Sequence, residues 1–348
     1  MLPTGIHPTC YAHEARVLIT PRSRVWLAIL IAGLLAFPLA AGPYMLGVFT
    51  HMFITLMAVY GLYVTVGMAG QINVAQSAFV GVGAFATAKL SEYGLPFYLV
   101  IPAAAVITGT VSILFALPAA RVKGFYLALT TLAAQVVFPI VILALPMSWL
   151  GGLVGMSVSP ISIGSLTLSA PIHFYYFTLA FVALLTVAVF NLKRSRFGRA
   201  LLAVRDNDVV AEVMGIPVFK MKVLAFFVGS LFAGVAGACL AYFLQFVTVT
   251  SFTLFASVWY LGMLIVGGVH SPVGAILGVV FITLVQESLH DIANSLMQSG
   301  ASGGVLFALT SVALGGCILI ALIFEPRGLA HRWQVLRTAF QLWPFPRN

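Results

Sequence analysis

The chain has 348 residues, 61% hydrophobic and 7% charged, with a mean hydropathy of +1.10; soluble domains carry about 25% charged residues, so a water-soluble fold is excluded. Seventeen Lys and Arg against eight Asp and Glu leave a net charge of +9. The bases sit in short islands between long uncharged runs, which excludes a nucleic-acid-binding face. Cys10, Cys239 and Cys317 form no spacing motif and supply no disulfide framework. The composition is that of an all-α polytopic membrane protein.

The first segment, residues 1–24, is a basic tail with Arg16, Arg22 and Arg24. It precedes an apolar run whose only cleavage candidate is Ala40-Ala41-Gly42, and the run extends well past a signal core. It reads as an uncleaved signal-anchor span. Beyond it, Asp, Glu, Lys and Arg are missing from 25–88, 93–120, 124–192, 223–286 and 292–324. A helix crossing about 30 Å of hydrocarbon needs about 20 mainly apolar residues. The transmembrane domain 25–324 then holds ten predicted spans: 26–49, 51–68, 73–90, 97–119, 125–145, 173–192, 223–244, 252–269, 273–289 and 304–324. The pairs 51–68/73–90 and 252–269/273–289 are each open to a re-entrant reading, so the range is eight to ten spans with broken segments.

Ten passes from a cytoplasmic N-terminus place 1–24, 119–124, 193–222 and the tail 325–348 inside, and with them sixteen of the seventeen Lys and Arg. Only Lys89, beside Glu92, falls outside. Lys/Arg excess marks cytoplasmic loops, so both termini are expected in the cytoplasm.

The longest external segment, 146–171, contains Ser157-Val-Ser-Pro-Ile-Ser-Ile163, Gly164-Ser165 and Leu166-Thr-Leu-Ser169. Polar/apolar alternation about a Gly-Ser pair predicts a short β-hairpin, either a pore-mouth cap or a docking surface for a soluble carrier. On the other side, 193–222 carries Leu202, Val209, Val210, Val213 and Met214 among charges. Asp206 or Asp208 is expected to cap a helix running to Gly215, where Gly-Ile-Pro supplies a stop. Glu212 lies one turn beyond Asp208 on the same face. A capped apolar stripe there fits a groove in a partner better than a plain connector needs.

Two Gly-interrupted stretches place polar groups inside apolar runs. One runs Gly61 to Gly83 and includes Gly67, Gly70, Gln71, Asn73, Gln76 and Ser77; the other is Gly262 to Gly278, with Gly267, Gly268, His270, Ser271 and Pro272. Broken backbone at membrane depth is tolerated only beside protein or a wet cavity, and paired breaks point to a transport path. Gln71, Asn73, Gln76, Ser77, Gly267 and Gly268 are therefore the translocation candidates, against helix packing as the plainer role for the glycines. No Lys follows a Gly, so there is no P-loop. Glu287, His290 and Asp291 share a helical face but read as an exposed helix-end charge group, not as a metal site. Span interiors free of ionisable groups disfavour proton coupling and favour a neutral or zwitterionic solute. No convergent nucleophile, base or metal set suggests an enzyme.

Several stretches resemble one family. Gly67-Met-Ala-Gly-Gln-Ile-Asn-Val-Ala-Gln-Ser-Ala-Phe-Val-Gly-Val-Gly-Ala84 is similar to VGxxGxxxxGxxxFxxxGAY of LivM-type permeases of branched-chain amino acid ABC importers. Arg121-Val-Lys-Gly-Phe-Tyr-Leu-Ala-Leu-Thr-Thr-Leu132 resembles RxxGxYxAxxTL. Phe197-Gly-Arg-Ala-Leu-Leu-Ala-Val-Arg205, with Ala211-Glu-Val-Met-Gly-Ile216, resembles FGRAxxAIRxxxxxAxxxGI. Lys222-Val-Leu-Ala-Phe-Phe, Gly267-Gly268 with Gly274-Ala275, and Pro326-Arg-Gly-Leu329 continue the likeness, which runs from about residue 60 to 329.

The resemblance implies an all-helical permease in a bacterial inner membrane, paired with a second, related permease subunit as a heterodimer. It further implies two cytoplasmic ATPase subunits, which use the ATP, and a periplasmic binding protein; this chain itself carries no cofactor. It puts Arg199, Arg205, Glu212 and Gly215, with Asp208 between them, on the loop coupled to an ATPase. Where amino acid permeases more often show a Leu-Ser-Leu-Gly-like run, this chain has Asn73-Val-Ala-Gln76. The solute therefore stays open between amino acids and urea, amides or aromatic acids. The reading from another class is a self-sufficient channel or ion-coupled carrier.

Overall fold

Proline and glycine set the boundaries of the first helices. Gly42 is extended (φ −72°, ψ 166°) ahead of Pro43, because a residue before proline is pushed out of the helical region. Pro43 in turn suits the first helical turn, whose N–H would be unpaired anyway. The first predicted span, 26–49, therefore divides at 41–42 into α1 (Pro21–Ala40) and α2 (Pro43–Leu62), and α2 runs on through a π-helical turn at Tyr63–Met68.

The computed structural model describes residues 21–122, 124–163, 166–167, 170–298, 303–325 and 328–341. Most of the basic N-terminal tail, Lys123, the Gly164-Ser165 turn, Pro326-Arg327 and residues 342–348 lie outside the described residues. After α2 follow α3 (Gln76–Glu92), α4 (Phe97–Ala119), α5 (Phe125–Ala144), the single turn α6 (Met147–Leu150), α7 (Pro171–Arg194), α8 (Arg196–Asp206) and α9 (Asp208–Val213). The chain continues with α10 (Val218–Leu244), α11 (Leu254–Gly267), α12 (Pro272–Gln298), α13 (Gly303–Phe324) and α14 (Leu329–Gln341). Apart from 26–49, which is shared between α1 and α2, each predicted apolar segment falls on one helix or its continuation. Among the described residues seven helices are long and apolar enough to cross a membrane, and two shorter apolar stretches occur at Val25–Ala40 and Val312–Ala321. At 17 residues α3 is shorter than a full span.

Among the described residues there are also a 3-10 turn at Val249–Ser251 and four two-residue strands: β1 (Met156–Ser157), β2 (Ser162–Ile163), β3 (Leu166–Thr167) and β4 (Phe246–Val247). The predicted hairpin is β2–β3, antiparallel with Ser162 opposite Thr167 and Ile163 opposite Leu166. β1 pairs instead with β4, which ties the loop after α6 to the end of α10.

α10 is the centre of the bundle and packs on α2, α3 and α4. Small residues allow this. A Cβ on Gly229 would lie 2.7 Å from the carbonyl oxygen of Gly61, and one on Gly83 would lie 2.7 Å from Gly234 Cα. Lipid tails give helices no hydrophobic reason to associate, so backbone approach of this kind supplies the dispersion contacts instead. The outer faces are apolar, with Val136, Ile140 and Val141 of α5 and Leu319, Ile320 and Ile323 of α13 exposed. Lipid is the solvent such faces suit.

Charge is sorted to the two ends. One end gathers Arg121 (over the ring of Phe219), Lys193, Arg205 and Lys222, linked through contacts among α7, α8, α9 and α10. The other holds Lys89 paired with Glu92 at 2.9 Å, and Glu287 bonded to the Tyr44 hydroxyl. This is the segregation that the charge pattern along the sequence predicts.

Candidate functional site

The first glycine-rich break opens where α2 ends. Its π-turn carries bonds that skip a residue, such as Ala69 N to Val64 O at 3.3 Å, and Gln71 N reaches back to Thr65 O at 3.0 Å. Single π-turns of this kind often mark functional sites. Gly70 takes φ +68°, which an L side chain rarely adopts. The chain then doubles back, so that Gln76 Nε2 donates to Ala58 O, three turns up α2, at 2.7 Å. Gly61 leaves the room for it, since a Cβ there would lie 2.7 Å from that same nitrogen.

Four of the candidate residues come together in this loop, all at most 1% exposed. Asn73 Nδ2 donates to Gln76 Oε1 at 3.2 Å, while Asn73 Oδ1 accepts from Ala75 N at 2.9 Å. Gln71 differs: neither Nε2 nor Oε1 has a partner, and the same is true of Ser77 Oγ. A buried amide without partners costs about 1–3 kcal/mol, so Gln71 and Ser77 are groups that a polar guest or water would satisfy.

Helix α3 begins inside the protein, where its leading N–H groups need acceptors. For these, and for Val74 two residues ahead of the helix, three acceptors come from other helices. Val74 N donates to Thr131 Oγ1 at 3.1 Å, Ser77 N to Ser257 Oγ at 2.8 Å, and Ala78 N to Gln135 Oε1 at 2.9 Å. Ser257 Oγ donates to Gln135 Oε1 at 2.8 Å and Gln135 Nε2 to Phe252 O at 2.9 Å. Gln135 thus knots α3, α5 and α11 together. Gln135→Leu is expected to leave Ala78 N, the Ser257 hydroxyl and Phe252 O unsatisfied. At about 1–3 kcal/mol per group, the midpoint of thermal unfolding in detergent falls by several degrees. An unchanged midpoint removes the knot.

The second break meets the first. A Cβ on Gly67 would fall on the carbonyl oxygen of Val269, just past the end of α11. Gly267 lies against the backbone of Gly274, and Gly268, at φ +113°, faces Gly328. Gly267 and Gly268 therefore sit in backbone-to-backbone contact.

The predicted amphipathic segment is two helices in place of one. Ser195 Oγ accepts from Gly198 N to cap α8, and Asn207 Oδ1 accepts from Val209 N and Val210 N to cap α9. Neither aspartate caps a helix. Asp206 instead receives Arg205 at 3.0 Å, and Asp208 receives Lys222 at 2.7 Å. The N-cap position of α9 belongs to Asn207, extended at φ −160° and ψ 111°, while Asp206 ends α8 and Asp208 opens α9. Gly215 ends the pair at φ +81°, as the stop signal requires. α8 buries Gly198, Leu201 and Val204 against the bundle, and Arg199 Nη1 donates to Arg194 O at 2.7 Å. α9 points the other way: Val209, Val210, Val213 and Met214 are 63%, 52%, 80% and 75% exposed, with Glu212 also on the outside.

The sequence reading missed Thr131, Gln135 and Ser257, polar residues within apolar runs and far from α3 along the chain. Among the described residues no group of three His, Cys, Asp or Glu is placed to hold a metal ion.

Comparison with known proteins gives this arrangement a context. The model of the family described as branched-chain amino acid transport system / permease component matches residues 44–323. The high-affinity branched-chain amino acid transport system permease protein LivM of Salmonella typhimurium is 27% identical over 342 residues, 89% of this chain and 75% of that protein. LivM of Escherichia coli is 25% identical over the same shares. A probable branched-chain amino acid transport permease protein LivH of Methanocaldococcus jannaschii is 30% identical over 162 residues, 46% of this chain and 49% of that one. No solved structure matches the chain. Because the family match extends from α2 to α13, across both breaks and the α8–α9 segment, the chain belongs to the LivM-type permease components of branched-chain amino acid ABC transporters.

Proposed function

We propose that the chain is one membrane subunit of an ATP-driven importer in a bacterial inner membrane, and that its solute is a branched-chain amino acid. The observation that carries the energy-coupling part is the exposed apolar face of α9 at the basic end of the bundle. Basic loops face the cytoplasm, where an ATPase groove would cover Val209, Val210, Val213 and Met214. Arg199, Asp208, Glu212 and Gly215 belong to the same segment. ATP is then bound and hydrolysed by two separate subunits, and a second, related permease completes the membrane part. Similarity to both LivM and LivH proteins supports that pairing. A periplasmic binding protein delivers the solute to the opposite end.

The path runs past the first break. Gln71 and Ser77 offer an unpartnered amide and hydroxyl to a zwitterion, Asn73 and Gln76 hold the loop, and the Gly267–Gly268 break closes its cytoplasmic end. Reconstitution tests the whole. The chain, a sister permease, two ATPases and a binding protein from neighbouring genes are expected to carry radiolabelled leucine into liposomes only with ATP. Isoleucine and valine should compete; competition by urea or benzoate instead reassigns the solute. Solute movement by the chain alone, without ATPases, replaces the importer by a self-sufficient channel or carrier.

A further inference from the structure

One side chain joins the basic end to the polar loop. Arg205, in the last turn of α8, is only 22% exposed. Its Nη1 donates to the Gly67 carbonyl at 2.8 Å, while Nε and Nη2 both donate to Asp206 Oδ1, at 3.1 and 3.0 Å. Its aliphatic stem lies on Gly70, where a Cβ would come within 2.7 Å of Arg205 Cγ. The guanidinium thus reaches the start of the Gly67–Gly70 stretch and its stem covers the end. Gly67 O belongs to the final turn of a helix, where carbonyls lack intrahelical partners and a cation is favoured. A second cation does the same at the other break, with Lys193 Nζ donating to His270 O at 3.1 Å. The two breaks touch each other through Gly67 and Val269.

We infer that Arg205 is a positioning residue that transmits movement of α8–α9 to the loop bearing Gln71, instead of contacting the ATPase itself. This rests on the reading that α9 docks an ATPase, and it assigns the opposite, inward step. Two properties suit Arg205 to the task. Its bond is charge-assisted and so stronger than a neutral one, and Asp206 fixes the plane of the fork. α8 cannot shift relative to the bundle without either pulling Gly67 or breaking that bond, and α9 follows α8 directly at Asn207. Immediately beyond Gly70 comes Gln71, the residue whose amide has no partner.

The assembled complex provides the test. Hydrogen exchange of residues 67–78 is compared with and without a non-hydrolysed ATP analogue, and leucine uptake per ATP hydrolysed is measured in parallel. In the natural chain the nucleotide is expected to change exchange in this segment. In Arg205→Met that change is expected to vanish while the ATPases still copurify, and uptake per ATP drops at least tenfold. Arg205→Lys, which retains one donor for Gly67 O, is expected to recover part of both. Should Arg205→Met fail to accumulate in the membrane, Arg205→Lys and Asp206→Asn carry the test, each with an intermediate ratio. A full nucleotide response and normal uptake per ATP in these variants overturns the inference, as does loss of the ATPases from Arg205→Met with retention in Arg205→Lys. An unmodified chain that never associates with an ATPase defeats the docking reading itself, which the copurification step reveals separately.

Discussion

Val213→Asp is expected to detach the ATPase subunits while leaving the permease intact. Val213 is 80% exposed and its neighbour Met214 75%, so neither contributes much to the fold of the chain. Substitutions at such positions usually change stability by no more than about 0.5 kcal/mol. In a partner's groove the balance differs. Truncating a central anchor costs about 2 kcal/mol or more, and a carboxylate buried there without a partner costs further. About 2 kcal/mol is a roughly 30-fold loss of affinity. The ATPases should therefore be lost from purified complexes while the thermal midpoint of the permease holds. Retention of both ATPases by Val213→Asp would leave the α9 face without a role in docking.

Why α9 could be found in the sequence, and the α3 knot could not, follows from the range of the forces involved. Uncharged runs and their flanking bases are local, so the apolar segments were legible, as was the β2–β3 hairpin. The stop at Gly215 was legible too, because a glycine before Ile-Pro leaves little choice of conformation. Caps are local but competitive: Asp206, Asn207 and Asp208 all qualify by residue type. Only the folded backbone decides that Asn207, extended between α8 and α9, is the cap, while Arg205 and Lys222 engage the aspartates. The division at Gly42-Pro43 was also written in the chain, but hydropathy outweighed it in the reading of 26–49. Thr131, Gln135 and Ser257 were beyond reach. Each is a polar residue within an apolar span, and its partner amide, on α3 or just ahead of it, lies 57 to 180 residues away. Gln71, Asn73, Gln76 and Ser77 could be grouped in the sequence because they lie within a few residues of one another, on the turn before α3 and in its first two residues. What distinguishes Gln71 from Asn73, an amide left open against one bonded at both its oxygen and its nitrogen, is a property of the folded surroundings.

The second break gives the sharpest contrast between packing and path. A side chain at Gly267 would meet the carbonyl oxygen of Gly274 and lie 2.7 Å from Gly278 N, both of them backbone atoms on α12. Nothing flexible is available to yield. Gly267→Val is expected to force α11 from α12 and to disturb Gly328, which packs on Gly268 from outside the pair. Overpacked cores lose about 1–3 kcal/mol, occasionally more, and a rigid backbone neighbour belongs at the upper end. The variant should accumulate poorly in membranes and unfold well below the natural chain in detergent. Gly47 of α2 is the matched control, because nothing lies within 4 Å of a Cβ there. Gly47→Ala is expected to be neutral or to gain up to about 1 kcal/mol from helix propensity. The pair of variants separates two roles for the same glycine. If Gly267 only lined a path, its valine variant would fold normally and alter uptake alone. If the backbone contact holds the break in shape, folding fails before transport can be measured. Milder Gly267→Ala should then lower both together.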